Sequence, residues 1–284
     1  LALRKGVKIE AINVRDYRLD LEELELILKT GKVKVFALTH MSNVLGTINP
    51  VAEITAMVRQ LSPETIVVVD GAQFAPHYPV NVKALDVDFY AIAGHKMLGP
   101  TGVGVLYGKK VLLEQMDPVF VGGGMITKVE LTKSEWENIP TKFEAGTPNI
   151  AQAIGLAEAV RFINKMGFPD INKHESELID YFLAKVEDVK GLTVLGPNEN
   201  KDRGAVFSFN IEGIHAHDLA QMLDEDDIAI RAGHHCNQVL LRDVLKVPAT
   251  ARASFYLYND YKDIDKLVVG LEKAKKRLLR TVTT

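Results

Sequence analysis

The sequence predicts an α/β protein, with a mostly parallel sheet in a large first domain (residues 1–166) and a smaller α+β domain after it (residues 167–284). Three observations carry that reading. The runs "KVFALTH", "TIVVVD", "DFYAIA" and "VGVLYG" are apolar on both faces, as strands covered on both sides must be. Helical periodicity in "VAEITAMVRQL" separates the first two, which is the crossover that parallel strands require. Beyond residue 150, long helical patterns alternate with shorter strands.

Taken in order, "VKIEAINV" at the start alternates like a strand, and the four buried runs and their helix follow, each bounded by Gly, Pro or Asn. From about residue 108 to 149 the pattern loosens through "FVGGGMITKVELTKSEWENIPTKFEAGTPN", a long loop of the kind that is either functional or disordered. Two helices are then expected over "IAQAIGLAEAVRFINKMG" and "PDINKHESELIDYFLAKVEDV", followed by the strands "LTVLG", "AVFSFN" and "IAIRAG" interleaved with helices. There are no internal repeats and no low-complexity segments.

Composition narrows the function. With 284 residues and 47% hydrophobic content the chain can bury a substantial core. Thirty-four basic against thirty-seven acidic residues leave a net charge of −3 with no long basic block, which argues against nucleic acid as a partner. No apolar run approaches the roughly 18 residues of a membrane span, and "LALRKGVKIEAINV" lacks a signal-peptide core, so no membrane association and a cytoplasmic location are expected. The single cysteine, Cys236, can form neither an internal disulfide nor, alone, a metal cluster; no metal site is expected, and the thiol is either buried and inert or reactive.

In open α/β sheets, ligands collect beyond the carboxyl ends of strands. "THMSNVLGT", "VVVDGAQ" and "AIAGHK" place Asn43, Asp70, Gln73, His95 and Lys96 just past three strand ends. Each alone has an ordinary explanation: Asp70 as a turn cap, Asn43 as a turn former, His95 as a satisfied hydrogen-bonding residue. Together, a lysine, an upstream aspartate and a glutamine match what pyridoxal 5'-phosphate needs, an amine for its aldehyde and a carboxylate beside its pyridine nitrogen. The proline and glycines of "AGHKMLGPTG" would fix the loop so that the amine meets the aldehyde, and apolar surroundings would lower the lysine pKa.

The stretches "THMSNVLGTINPV", "VVVDGAQ", "DFYAIAGHKMLGPTGVGVLYGKK", "FEAGTPN", "RAGHHCNQ" and "ATARASFYLYND" together resemble the Suf-type cysteine desulfurases, also known as selenocysteine lyases, within the class V aminotransferase family. The resemblance runs from near residue 6 to the C-terminal helix and implies a fold-type I pyridoxal-phosphate transferase. It implies that Lys96 is the Schiff-base lysine, that Asp70 pairs with the pyridine nitrogen, that Gln73 bonds the ring hydroxyl and that His95 lies by the phosphate. Thr147, in "FEAGTPN", would reach the phosphate of a neighbouring subunit in a homodimer. Asn43 and Arg252 would hold the substrate carboxylate, which suits the planar fork of an arginine. Cys236 would be the catalytic thiolate, favoured by nearby positive charge, attacking the sulfur of L-cysteine to release alanine and keep a persulfide for a sulfur-acceptor protein of the Suf system serving iron-sulfur assembly. L-selenocysteine would react by a related path with less need of Cys236.

The departures are informative too. Ala93 stands where the family usually has a hydroxyl touching the phosphate, which removes a charge-assisted hydrogen bond worth roughly 1.5–3 kcal/mol. Phe74 and Val239 replace a usual small residue and a usual proline. The resemblance also implies roughly another hundred residues ahead of Leu1, with a phosphate-cradling loop and a ring-stacking histidine, so the large domain is expected to be incomplete at its N-terminus. Two functional readings follow: a cysteine desulfurase, or a truncated, catalytically silent fragment that dimerises or docks a sulfur acceptor. Other class V aminotransferases, acting on alanine or phosphoserine, give no reason for "RAGHHC".

Overall fold

The computed structural model describes residues 2–281. Its elements run α1 (Ala2–Lys5), β1 (Val14–Arg15), β2 (Arg18–Leu19), α2 (Leu21–Leu28), β3 (Val35–Thr39), α3 (Val51–Leu61), β4 (Ile66–Asp70), α4 (Val82–Leu85), β5 (Phe89–Ala93) and β6 (Gly104–Gly108). They continue through α5 (Lys110–Gln115), β7 (Ile126–Val129), β8 (Ser134–Trp136), α6 (Ile150–Met166), α7 (Phe168–Glu187), β9 (Leu192–Leu195), β10 (Val206–Ile211), α8 (Ala216–Asp224), β11 (Arg231–Gly233), β12 (Thr250–Ser254) and α9 (Tyr261–Thr281). Two compact units interleave along the chain: one holds residues 33–39 and 51–168, the other 1–32, 40–50 and 169–284.

The first unit is built on the sheet β3-β4-β5-β6. β3, β4 and β5 are parallel, with Thr39 opposite Asp70 and Asp70 opposite Ala91. β6 returns antiparallel to β5, pairing Ala93 with Gly104, so the sheet is mostly but not wholly parallel. The amphipathic α3 buries Val51, Ile54 and Val58 and supplies the crossover between β3 and β4. Asp88, just ahead of β5, accepts the Val67 amide at 2.7 Å and pairs with Arg59 at 2.8 Å and Lys109 at 3.0 Å, which ties the starts of β4 and β5 together. The loose stretch 108–149 contains α5 and the hairpin β7–β8, a regularity that its alternating polar residues hide.

The second unit carries the antiparallel sheet β11-β12-β10-β9. Its core includes Phe182, Phe207 and Phe255, with ring centroids 4.1 Å apart for Phe182–Phe207 and 5.5 Å for Phe182–Phe255, and Leu219, Leu223, Leu267 and Leu271 from α8 and α9 close over it. Segment 40–50 belongs here because Val44 and Leu45 pack against Leu195 and Leu241. The fit is tight. A Cβ on Gly46 would lie 2.7 Å from the Val206 carbonyl oxygen, and Ser208 Oγ donates to the Val44 carbonyl at 2.6 Å. The strand expected at residues 7–14 does not form. Only Val14–Arg15 pairs, with Arg18–Leu19, and Val7 and Ile9 are exposed; alternation yields a strand only where a ladder partner exists.

Candidate active site

Because β3, β4 and β5 run parallel, their carboxyl ends share one edge, and Asp70 closes β4 there. Lys96 lies three residues beyond the end of β5, in the connection to β6. That loop is held at Gly94, whose amide donates to the Val103 carbonyl at 3.1 Å and whose carbonyl accepts from Met97 at 2.9 Å and Gly99 at 3.1 Å. A Cβ on Gly94 would sit 2.8 Å from the Val103 oxygen, so the close approach needs glycine. Lys96 is half-buried, and its Nζ donates to Gln73 Oε1 at 3.2 Å. Gln73 is placed by a turn in which the Gly71 carbonyl accepts from Phe74 at 3.0 Å and Ala75 at 2.9 Å. Asp70 is exposed and uses Oδ1 to accept the Ala72 amide at 2.9 Å. Behind it, burial and then the Asp70 charge push the Tyr90 phenol well above its usual range. His95 is exposed beside Lys96, and Thr147 is exposed in a segment tied down by Gly146 N to Gly123 O at 2.8 Å and Asn149 Nδ2 to Gly102 O at 2.6 Å.

The second unit assembles the other expected residues. Cys236 is exposed in the loop after β11, and Arg231 Nη2 lies 3.6 Å from its sulfur. Arg252 on β12 donates through Nη1 to the Asn43 carbonyl at 2.9 Å, and Asn43 Nδ2 donates to the His235 carbonyl at 2.5 Å. Arg231 and Arg252 are register partners across β11 and β12. Like charges directly opposite repel, so this pairing costs stability unless an anion lies between them. Burial, and then the charge of Arg231, pull Arg252 below its usual range, while the Cys236 sulfur opposes that shift. Arg252 Nε is buried without a hydrogen-bond partner. Two guanidinium groups, an amide and a thiol thus form a place suited to an anion that carries sulfur.

Lys96 and Gln73 are therefore in contact, Asp70 shares their edge, and Asn43, Arg252 and Cys236 are joined through Arg231 and His235. Sequence reasoning reads Arg231 and His235 only as positive charge near the cysteine and passes over Thr250. The motif "RAGHHC" holds the first two, but the register that sets Arg231 against Arg252 has no local signature. Two grooves among the described residues lie elsewhere, along Val268–Arg277 of α9 and beside residues 137–142. Neither holds a thiol or a histidine, so the chemistry, not the volume, locates the site.

The class-V aminotransferase family model matches residues 1–267. The chain is 51% identical over 262 residues to a protein of Halalkalibacterium halodurans named "Probable cysteine desulfurase", covering 92% of this chain and 63% of that one. It is 43% identical over 277 residues to the cysteine desulfurase of Haloferax volcanii, covering 97% of this chain and 64% of that one. Among solved structures it resembles the cysteine desulfurase CsdA (S-sulfonic acid) of Escherichia coli, with a TM-score of 0.90, 36% identity, and coverage of 98% of this chain and 68% of that one. The chain belongs to the class-V aminotransferase family, whose members depend on pyridoxal 5'-phosphate. It spans slightly under two-thirds of the length of the curated relatives it matches.

The residues present fit that cofactor. An amine held by a neutral amide, Lys96 on Gln73, and an exposed carboxylate, Asp70, stand on one sheet edge, which is the donor set its aldehyde and pyridine nitrogen require.

Proposed function

We infer that the chain carries the working parts of a pyridoxal-phosphate-dependent cysteine desulfurase, which converts L-cysteine to L-alanine and retains the sulfur as a persulfide on Cys236. The observation that carries this reading is the cluster of Cys236, Arg231, Arg252 and Asn43. A lysine and an aspartate on a sheet edge would serve many aminotransferases, whereas a thiol beside paired arginines serves sulfur transfer. In this reading residues 1–166 supply the cofactor side and residues 167–284 the cysteine side, with segment 40–50 lending Asn43 to the latter.

Pyridoxal phosphate, when bound, supplies an aldehyde for an amine and a ring that withdraws electrons from the substrate α-carbon. The residues of the chain do the rest. Lys96 would hold the aldehyde and move the proton at the substrate α-carbon, Asp70 would keep the pyridine nitrogen protonated, and Gln73, which accepts from the Lys96 amine, would also orient the ring hydroxyl. His95 and, from a second copy, Thr147 would support the phosphate. Arg252 and Asn43 bind the substrate carboxylate and turn its thiol toward Cys236. The Cys236 thiolate then forms an S–S bond with the substrate sulfur as the Cβ–S bond breaks, and the electron pair left on carbon takes up a proton to give alanine. Arg231 Nη2 points at the attacking sulfur from 3.6 Å.

A homodimer suits the unit that carries Thr147, since Val119, Phe120, Val121 and Leu131 of that unit are exposed. The persulfide passes to a sulfur-acceptor protein of the Suf type in a reducing, cytoplasmic setting; no helix among the described residues is long and apolar enough to cross a membrane. L-Selenocysteine is a second substrate, its C–Se bond being the weaker. The test is to supply pyridoxal phosphate and L-cysteine to the full-length protein, measure alanine, and weigh the protein. Alanine release with Cys236 heavier by one sulfur atom is expected, and absence of both overturns the assignment.

A further inference from the structure

We propose that His235 is a positioning residue that fastens the Cys236 loop to the carboxylate-binding pair Asn43 and Arg252. The proposal takes its reaction from the desulfurase reading above, but its geometry stands apart from it. His235 is 1% exposed, while its neighbours His234 and Cys236 face solvent. Its Nε2 lies 3.1 Å from the Thr250 carbonyl oxygen and 2.8 Å from Thr250 Oγ1. A carbonyl only accepts, so Nε2 carries the hydrogen and Nδ1 is left with a bare lone pair. Nδ1 is buried without a partner, so a second proton would have no acceptor. Burial first, then the charges of Arg252 and Arg231, lower the His235 pKa to about 4, and the ring stays neutral near pH 7.

The attachment closes a circuit. The Asn43 amide donates to the His235 carbonyl at 2.5 Å, Arg252 donates to the Asn43 carbonyl at 2.9 Å, and Arg252 follows Thr250 by two residues on β12. The circuit has to hold a costly backbone, because His235 (φ 51°) and Cys236 (φ 65°) both adopt the left-handed conformation, which side-chain-bearing residues keep only when their surroundings impose it. The buried ring is that imposition. It carries Cys236 to the position where its sulfur meets Arg231, and it links the place where a carboxylate binds to the aim of the thiol.

Three variants of the full chain test the assignment: His235→Ala, His235→Asn and His235→Gln, the last keeping a donor near the position of Nε2. The first readout needs no cofactor. Amide hydrogen exchange over residues 234–238, which include the Asn237 amide bonded to the His234 carbonyl at 2.9 Å, should quicken about tenfold in the Ala and Asn variants and return close to wild type in Gln, with β10 unchanged. The second readout is turnover of L-cysteine with pyridoxal phosphate bound, where kcat should fall about tenfold in Ala with KM within about threefold, and recover in Gln. If His235→Ala does not fold, Thr250→Ala, which deletes the hydroxyl partner of the ring, should quicken exchange over the same residues. Wild-type exchange at residues 234–238 in the Ala variant, or a Gln variant as damaged as Ala, overturns the proposal. If wild type itself releases no alanine, the desulfurase reading fails while the exchange result still decides the role of His235.

Discussion

Lys96 and Cys236 do different parts of the proposed reaction, and single substitutions separate them. Lys96→Ala should abolish alanine release from both L-cysteine and L-selenocysteine, because without the amine neither the cofactor aldehyde nor the α-proton is managed. Cys236→Ala should abolish desulfuration of L-cysteine while sparing much of the selenocysteine reaction; full cysteine turnover in that variant would remove the persulfide step. Arg252→Lys keeps the charge but loses the fork that donates to Asn43 and that, in the proposed reaction, would bind a carboxylate in two places, so KM for L-cysteine should rise about tenfold with a smaller change in kcat. Steady-state assays of alanine on these variants check all three. Motif and resemblance single out Lys96, Gln73, Asn43, Arg252 and Cys236, whose roles are proposals, and the structure adds the contacts Lys96–Gln73 and Arg252–Asn43. Arg231 was legible only as nearby charge, because its relation to Arg252 depends on a strand register set by partners distant in sequence.

At the scale of elements, the edge that carries Asp70 depends on how closely β4 and β5 approach. A Cβ at Gly71 would fall 2.0 Å from the ring of Tyr90, which is fully buried and cannot move aside. Gly71→Ala should therefore destabilise the fold by about 1–3 kcal/mol, as overpacking does, and weaken pyridoxal-phosphate binding by shifting Asp70 and Gln73. A urea titration reads the first effect and a cofactor titration followed by visible absorbance reads the second; a Gly71→Ala variant as stable as wild type would show that β5 can retreat. Helices α3, α6 and α7 were readable almost to the residue because their apolar spacing is strong and local. The hairpin β7–β8 and the missing strand at residues 7–13 were not readable, since a strand is made by its partner and the partner is not written in its own residues.

Across the whole molecule, the buried His40 and His235 contribute to the loss of stability in acid. Burial lowers His40 from 6.5 to about 4, and burial with Arg252 and Arg231 lowers His235 from 6.5 to about 4. Both are neutral when folded and titrate near 6.5 when unfolded, so between those values the unfolded chain binds protons that the folded chain does not. Stability should therefore decline as pH falls from about 6.5 to about 4, with no such decline from these groups above about 7. Melting temperatures at about pH 8, 6 and 4.5 check this, and replacing His40 with an uncharged residue should flatten part of the slope. The exposed Val119, Phe120, Val121 and Leu131 motivate a second expectation at this scale: light scattering at micromolar concentration should report a dimer, and a monomer would count against the partner-subunit role of Thr147.

By itself the sequence determined the α/β class, the order of the principal helices and strands, the family, and the lysine and cysteine on which the proposed chemistry turns, because apolar periodicity and short motifs are local and survive being read as a string. Tertiary structure decided what depends on distant partners. It set β6 antiparallel to β5, so that the Lys96 loop is the turn of a hairpin, and it gave segment 40–50 to the unit that holds Cys236, where Val44 and Leu45 find their apolar neighbours. It also set Arg231 against Arg252 and buried His235 between Asn43 and Thr250. The physical reason is common to all of these. Packing and strand register are chosen by the fit of surfaces far apart in the chain, and no single stretch of residues contains both sides of that fit.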